Sequence, residues 1–340
     1  MAIPSSLESL PNEIFLDIVS DFDPWAIKRL SLVSKSLRSQ CLPILFRHVR
    51  ISFSPTGLAA LRDISEVDHL RQHVVWITYE VTDILDPRAC DAEQFTSELY
   101  PFRAYVEDET DHYYLKNGKM DTFPAYESVY PAFQPVAANQ RIVLDKGMDA
   151  EIVPQTLCRL PKLAKFSLRY SMPAVKPVFF PMINWIGIAR EDPLEHHLKV
   201  VSHGIRQARS RNILVRTMEF GGNNDRWGGA CPGLLRDILE DVEILRLFRS
   251  NGVMNEICAQ PSTFPRLREI DMCSFYIKQL PLFEKFLDRH AKTLRSIQCH
   301  KGNIGWENLR RIMQMLRFPQ RITATKCTFH PRAIADKLFI

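Results

Sequence analysis

Three histidines crowd one short stretch, His196, His197 and His203 in "HHLKVVSHG". Imidazoles are common transition-metal ligands, so the cluster raises a metal site. No acidic or thiol ligand stands at a matching spacing and H-E-x-x-H is absent, so the stretch reads as a solvated helix face and no metal is expected. "GGNNDRWGGACPG" places four glycines before Cys231. Such a run cradles phosphate when G-x-x-x-x-G-K-[ST] closes it on a lysine and a hydroxyl; neither is present, so a loop is expected. The eight cysteines, Cys41, Cys90, Cys158, Cys231, Cys258, Cys273, Cys299 and Cys327, are widely spaced and form no C-x-x-C. None lies in a nucleophile motif, and they read as buried reduced thiols. "RQARSRNILVR" carries Arg206, Arg209, Arg211 and Arg216. It reads either as a contact for phosphate or an acidic partner, or as a solvated face. No catalytic constellation is complete, so neither an enzyme nor a cofactor is expected.

The elements that carry these residues follow from bulk composition and pattern. The 340 residues exceed one small core and point to two domains or a long array. Hydrophobic residues at 46% and charged residues at 24% are ordinary for a folded chain. The net charge of +5, from 44 basic and 39 acidic residues, falls well short of the basic stripe of a nucleic-acid binder. The 22 prolines are scattered and punctuate many short elements. No apolar run reaches the roughly 18 residues of a membrane span. "MAIPSSLESLPNE" has no basic start leading into an apolar stretch, so no secretory signal is expected. The cytosol or nucleus is the expected location, in keeping with reduced thiols.

The first fifty residues predict three short helices. Pro11 suits a helix start, with Glu13 and Asp17 following near the positive helix end. Leu10, Ile14, Ile18 and Phe22 recur every four residues, and Phe15 and Val19 widen that stripe. Asp23 is placed to cap a second helix with Pro24 at its first position, and Trp25, Ile27, Leu30, Val33 and Leu37 supply its apolar positions. "SQCLPILF" reads as a third helix interrupted by Pro43, and "RHVRISF" alternates as a strand. Three helices this short have more apolar positions than they can cover, so the unit docks against the rest of the chain or against a partner.

The order of these residues resembles the F-box motif, most closely that of F-box proteins abundant in filamentous fungi. The matching stretch is "LPNEIFLDIVSDFDPWAIKRLSLVSKSLRSQCLPILFRHVRIS", over about residues 7 to 50. It departs from many relatives in one corner, where Ser36 and Leu37 stand in place of an aromatic residue after "SK". The resemblance implies binding to the adaptor subunit of an SCF-type cullin–RING ubiquitin ligase. By position it implies an interface of Leu10, Pro11, Ile14, Ile18, Leu30, Val33 and Ser34. For Ile18 and Val33, packing within the three-helix unit stands as an equal alternative.

From residue 51 onward the pattern changes to loose copies of L-x-x-L-x-L, the strand template of leucine-rich repeats. They are Val74/Ile77/Tyr79, Leu163/Phe166/Leu168, Val242/Leu245/Leu247, Leu267/Ile270/Met272 and Leu294/Ile297/Cys299, with a degraded copy at Ile322/Thr325/Cys327. The last four begin at 242, 267, 294 and 322, in steps of 25, 27 and 28. Helical stretches such as "PLFEKFLDRHAK" and "WENLRRIMQML" lie between copies. The predicted fold is therefore α/β: a three-helix F-box over residues 1–50, then an irregular leucine-rich-repeat-like solenoid over 51–340. A helical insertion is expected at about 86–140, rich in Tyr, Phe, Asp and Glu, and a second irregular stretch at about 172–232. Strands line the concave side of such an array, which nominates Arg169, Arg246, Phe248, Asp271 and Gln298 for a cleft. Arg246 and Phe248 are the client-binding candidates. Tyr113, Tyr114 and Tyr126 of the insertion are either interface anchors or a cover for the solenoid end.

The function expected from this reading is a non-catalytic substrate-recognition subunit. Its partners are the ligase adaptor and, through it, the cullin, together with a protein client; no membrane and no nucleic acid are indicated. The alternative is an F-box scaffold that binds the adaptor without turnover of a client. A third class, an enzyme on an irregular α/β array, has no motif in its favour.

Overall fold

The computed structural model describes residues 7–115, 123–172, 174–187, 193–222, 232–274 and 280–300. The chain opens with α1 (Asn12–Val19), α2 (Pro24–Leu30) and α3 (Lys35–Leu45). Local chemistry sets their starts. The Asp23 carboxylate accepts from the Trp25 and Ala26 amides at 2.8 and 3.0 Å, with Pro24 in the first turn. The Ser34 hydroxyl accepts from the Leu37 amide at 3.1 Å. Pro43 sits inside α3 without ending it. Phe15, Val19, Ile27, Leu37 and Cys41 form a small core between the three helices.

The chain then alternates strand and helix. β1 (His48–Ser52), α4 (Pro55–Glu66), α5 (Asp68–Arg71) and β2 (Trp76–Val81) lead to a long connection. It holds α6 (Ala92–Gln94), α7 (Phe102–Leu115), α8 (Val129–Asp145) and α9 (Met148–Leu157), and ends at β3 (Lys165–Tyr170). After it come α10 (Ile183–Ile186), α11 (Pro193–Ser210), β4 (Thr217–Gly221), α12 (Pro232–Leu239) and β5 (Ile244–Phe248). The described part closes with α13 (Asn251–Ala259), β6 (Glu269–Cys273), α14 (Leu280–His290) and β7 (Ser296–His300).

The seven strands form one open sheet, all parallel and in chain order. Alternate positions of every strand point to one face, where two apolar rows run across the sheet. One row is Val49, Ile77, Phe166, Met218, Leu245, Ile270 and Ile297; the other is Ile51, Tyr79, Leu168, Phe220, Leu247, Met272 and Cys299. Helices α4, α9, α11, α12, α13 and α14 stack in that order, and their buried residues join both rows in one core. No strand can bury its apolar row alone, so each strand–helix pair is stabilised by its neighbours.

β4 lies inside the stretch expected to be irregular. Val215 just before it, with Met218 and Phe220 of the strand, follows the same template as the other strands, and all three are buried, so the signal is present in the sequence, 27 positions before the copy at Val242. The long β2–β3 connection is helical and has its own core, including Phe95, Tyr100, Val129 and Phe133. Phe179, Met182 and Ile186 from the β3–β4 connection complete that core, so two long connections fold together. Gln140 of α8 pins the junction: it accepts from the Leu85 amide at 2.8 Å and donates to the Asp83 carbonyl at 2.8 Å. The expected copy at Ile322 and the helix "WENLRRIMQML" lie outside the described residues.

Candidate functional site

The N-terminal helices divide their apolar residues between an inner and an outer side. Phe15 and Val19 are buried, and Ile14 and Ile18, one position earlier in each case, are exposed. Ile14 is 50% exposed, Trp25 69% and Val33 70%. Thirteen large apolar side chains are exposed among the described residues, and seven of them fall between Ile14 and Val33. Such concentration is unusual on a surface that faces water, where exposed apolar residues are ordinarily scattered singly. The predicted interface residues separate by environment. Pro11, Ile14, Ile18 and Val33 are exposed, Leu10 and Leu30 are half-buried, and Leu30 packs on the small core. Ser34 is half-buried with its hydroxyl engaged as the α3 cap. Leu16, Phe22, Trp25 and Leu32 are exposed in the same region, and the motif singles out none of these four. Lys28 Nζ lies 4.9 Å from the Trp25 ring centre.

The second surface is the sheet face opposite the helix layer, where three rows of mostly polar residues run across the strands. The middle row reads Arg50, Thr78, Ser167, Glu219, Arg246, Asp271 and Gln298. The row at the strands' C-terminal ends reads Ser52, Glu80, Arg169, Gly221, Phe248, Cys273 and His300. Parallel pairing in uniform register thus brings Arg169, Arg246, Phe248, Asp271 and Gln298 onto one face, from strands up to 129 positions apart in sequence (298 − 169). A cavity of about 510 Å³ opens there, lined among others by Arg169, Glu219, Gly222, Arg246, Phe248 and Asp271.

Charge on this face is paired unevenly. Glu219 is buried and accepts from Lys165 Nζ at 2.7 Å and from Arg169 Nη2 at 2.8 Å. Burial pushes its carboxyl up, and the hydrogen bonds from Lys165 and Arg169 outweigh burial and hold it below the usual range. Arg246 meets Asp271 only at 3.9 Å, too far for a good hydrogen bond. Phe248 is 47% exposed, with the Arg249 guanidinium 5.6 Å from its ring centre. At the other end of the strands His48 stacks on Trp76 at 3.6 Å, and Lys165 Nζ lies 3.5 Å from the same indole. Burial, followed by the nearby cations Arg50, Lys165 and Arg169, lowers His48 to about 4.

Gly221 and Gly222 of the glycine-rich stretch line the sheet cavity, and residues 223–231, including Cys231, lie outside the described residues. Three of the four arginines in the run meet acidic side chains, and Arg211 is exposed. Arg206 meets Asp237 at 3.6 Å, Arg209 pairs with Glu240 and Asp241, and Arg216 meets Glu243 at 3.5 Å. The six described cysteines are free thiols; burial raises Cys41 and Cys158, and lifts Cys258 to about 12. Tyr113 is exposed, and Tyr126 is half-buried with its hydroxyl donating to the Tyr100 carbonyl at 2.9 Å. The Tyr114 side chain lies outside the description.

The histidine stretch departs most from its sequence reading. His203 is exposed as expected, but His196 is half-buried and His197 is fully buried. An i,i+1 pair on α11 has one ring towards the core because the apolar stripe of Leu194, Leu198, Val201 and Ile205 passes through that position. Burial pushes His197 down to about 3, so its imidazole is neutral.

A family model described as F-box-like matches residues 7–52, the three N-terminal helices together with β1. The chain therefore carries an F-box-like domain. No curated protein matches the chain. Among the described residues no helix is long and apolar enough to cross a membrane.

Proposed function

We propose that this protein is the substrate-recognition subunit of an SCF-type cullin–RING ubiquitin ligase. The F-box-like domain binds the adaptor, and through it the cullin, and the strand–helix array binds a protein client. The observation that carries this reading is the coincidence of the F-box-like match with the concentration of exposed apolar side chains on α1 and α2 and in the turn that follows. The proposed adaptor interface comprises Leu10, Pro11, Ile14, Ile18, Leu30, Val33 and Ser34. Four of these are exposed, as an interface requires. The chain performs no chemistry in this role. It holds client lysines near the ligase-bound ubiquitin conjugate, a gain in effective concentration.

The array from residue 51 onward is read as an irregular leucine-rich-repeat-like solenoid. Strands in chain order with stacked helices on one side support that reading. Its polar face, opposite the helix layer, is the proposed client surface, with Arg246 and Phe248 as contacts. Arg246 is only loosely paired and Phe248 is exposed, so both have interaction capacity left over.

The test is affinity capture of the full chain with mass spectrometry, comparing wild type, Leu10→Ala/Pro11→Ala and Arg246→Glu/Phe248→Ala. Adaptor and cullin are expected with the wild type and reduced with the first variant, since truncating apolar anchors costs about 2 kcal/mol or more. Loss of client with adaptor retained is expected of the second. Adaptor capture without any client that accumulates on deletion of the protein would favour a scaffold role.

A further inference from the structure

We propose that Asp149, His196 and His197 form a binding site for one zinc-class divalent ion, which pins α9 to α11. One ligand atom from each of the three lies within 4.8 Å of the other two. The carboxylate stands 47 positions from the nearest imidazole in sequence (196 − 149). The close packing of α9 on α11 brings them together.

The donor set is prepared in a way that simple core packing does not require. His197 is fully buried, and its Nε2–H donates to the Thr82 carbonyl at 3.4 Å. A carbonyl only accepts, so the proton is on Nε2 and Nδ1 carries the lone pair. That Nδ1 is buried and has no hydrogen-bond partner. Metal-ligating histidines typically have this arrangement, one ring nitrogen donating to a backbone carbonyl and the other free for the ion. A buried acceptor left unsatisfied is otherwise costly. Asp149 is also buried; one oxygen accepts from the Ala150 amide at 2.9 Å and the other from His196 Nε2 at 2.7 Å. The Tyr79 hydroxyl is buried without a partner, and the Tyr79 ring meets His197 edge-on at 5.9 Å. It is available to hold a water in the fourth position.

The geometry admits the ion after small side-chain movements. Tetrahedral zinc with Zn–N and Zn–O of about 2.0–2.2 Å puts ligand atoms about 3.3 Å apart. The His196–Asp149 pair opens slightly to reach that separation, and atoms spread over at most 4.8 Å close by rotation about χ angles. His196 has 29% of its side chain exposed, which gives the ion an entry side. When His196 ligates, its Nε2 hydrogen passes to Nδ1 of the same ring through solvent, and the neutral imidazole binds. Two imidazoles with one carboxylate favour zinc over magnesium or calcium, which prefer all-oxygen shells.

The full chain, stripped by a chelator and dialysed, is titrated with ZnCl₂ and separately with MgCl₂. One equivalent of zinc is expected to bind at least about a hundredfold more tightly than magnesium and to raise the thermal midpoint. X-ray absorption at the zinc edge of the wild-type protein is expected to read two imidazoles and oxygen. The variants His197→Asn and Asp149→Asn are expected to lose the equivalent while keeping their circular dichroism, and His203→Gln is expected to keep it. No zinc uptake by the wild type, sulfur in the zinc shell, or full uptake by a folded His196→Gln/His197→Asn variant each overturns the site. The absorption spectrum needs no variant, so it decides even where a substitution prevents folding.

Discussion

Ile14 and Phe15 are adjacent in α1 and opposite in environment: Phe15 is 1% exposed in the three-helix core, and Ile14 is half exposed. The two positions should therefore fail in different assays. Phe15→Ala is expected to destabilise the N-terminal unit by about 3–5 kcal/mol through the cavity it leaves. Ile14→Asp is expected to change stability by no more than about 0.5 kcal/mol, yet to weaken adaptor binding at least about tenfold. Thermal melts and a binding titration on both variants separate these outcomes. Equal loss of stability in the two would place Ile14 in the core.

Glu219 holds Lys165 and Arg169 together, and removing it leaves Lys165 largely buried without a carboxylate, with only the Trp76 indole against its ammonium. Glu219→Leu is expected to cost about 2–3 kcal/mol, less than a fully buried pair because Arg169 is partly solvated. Adding Lys165→Met should recover much of that loss, since apolar pairs replace buried ion pairs well. Urea midpoints of the single and double variants give the comparison, and a double variant no better than the single one contradicts it.

His290 ties α14 to the loop before β6. Its Nδ1–H donates to the Phe286 carbonyl at 2.8 Å, and its Nε2 accepts from the Phe264 amide at 2.8 Å. Burial holds the ring below its usual value of 6.5. The unfolded chain therefore binds the proton more readily, and the stability this neutral ring contributes is present above pH 6.5 and falls as pH drops below it. The slope from one such group is up to about 1.4 kcal/mol per pH unit. Glu219 acts with the same sign lower down: its depressed carboxyl contributes stability above about pH 4.5 that is lost as pH falls towards its folded value. Urea midpoints from pH 8 to 5 should decline for the wild type and decline less for His290→Phe. An unchanged slope in that variant refutes the assignment to His290.

Gly222 has φ of +109°, and a Cβ there would stand 2.0 Å from the Tyr170 carbonyl oxygen. Its amide also donates to the Phe248 carbonyl at 3.0 Å, continuing the β4–β5 ladder past the strand end. Gly222→Ala is expected to cost at least about 2 kcal/mol, from strain alone. Gly233, where an added Cβ meets nothing within 4 Å, should gain about 0.5 kcal/mol as alanine in helix α12. Calorimetry on the two alanine variants should show midpoints moving in opposite directions.

Much of the architecture is written locally in the chain. Asp23 with Pro24 dictates the start of α2, because a cap needs only its own next three residues. The next boundary is not legible there, because the apolar spacing runs on across the break: α2 ends at Leu30, Val33 lies in the turn, and Ser34 caps α3 from Lys35. Leu37 thus belongs to α3 and not to the second helix that its spacing predicts. The strand template recurs with its apolar positions two residues apart, so Phe166/Leu168 and Leu245/Leu247 declare which side of their strands is buried. The apolar excess of the first helices, which the fold leaves exposed at Ile14, Ile18 and Val33, is legible for the same reason. Tertiary structure decided what depends on distant partners. Which of Ile14 and Phe15 turns inward is set by where α2 and α3 lie, since either residue fits the helical stripe. The charge state around Glu219 is set by parallel register with β3. Asp149 meets His196 and His197 only because α9 and α11 stack on neighbouring strands: a ligand set assembled across 47 positions leaves no spacing to read, and burial of His197 follows from which side of α11 faces the sheet.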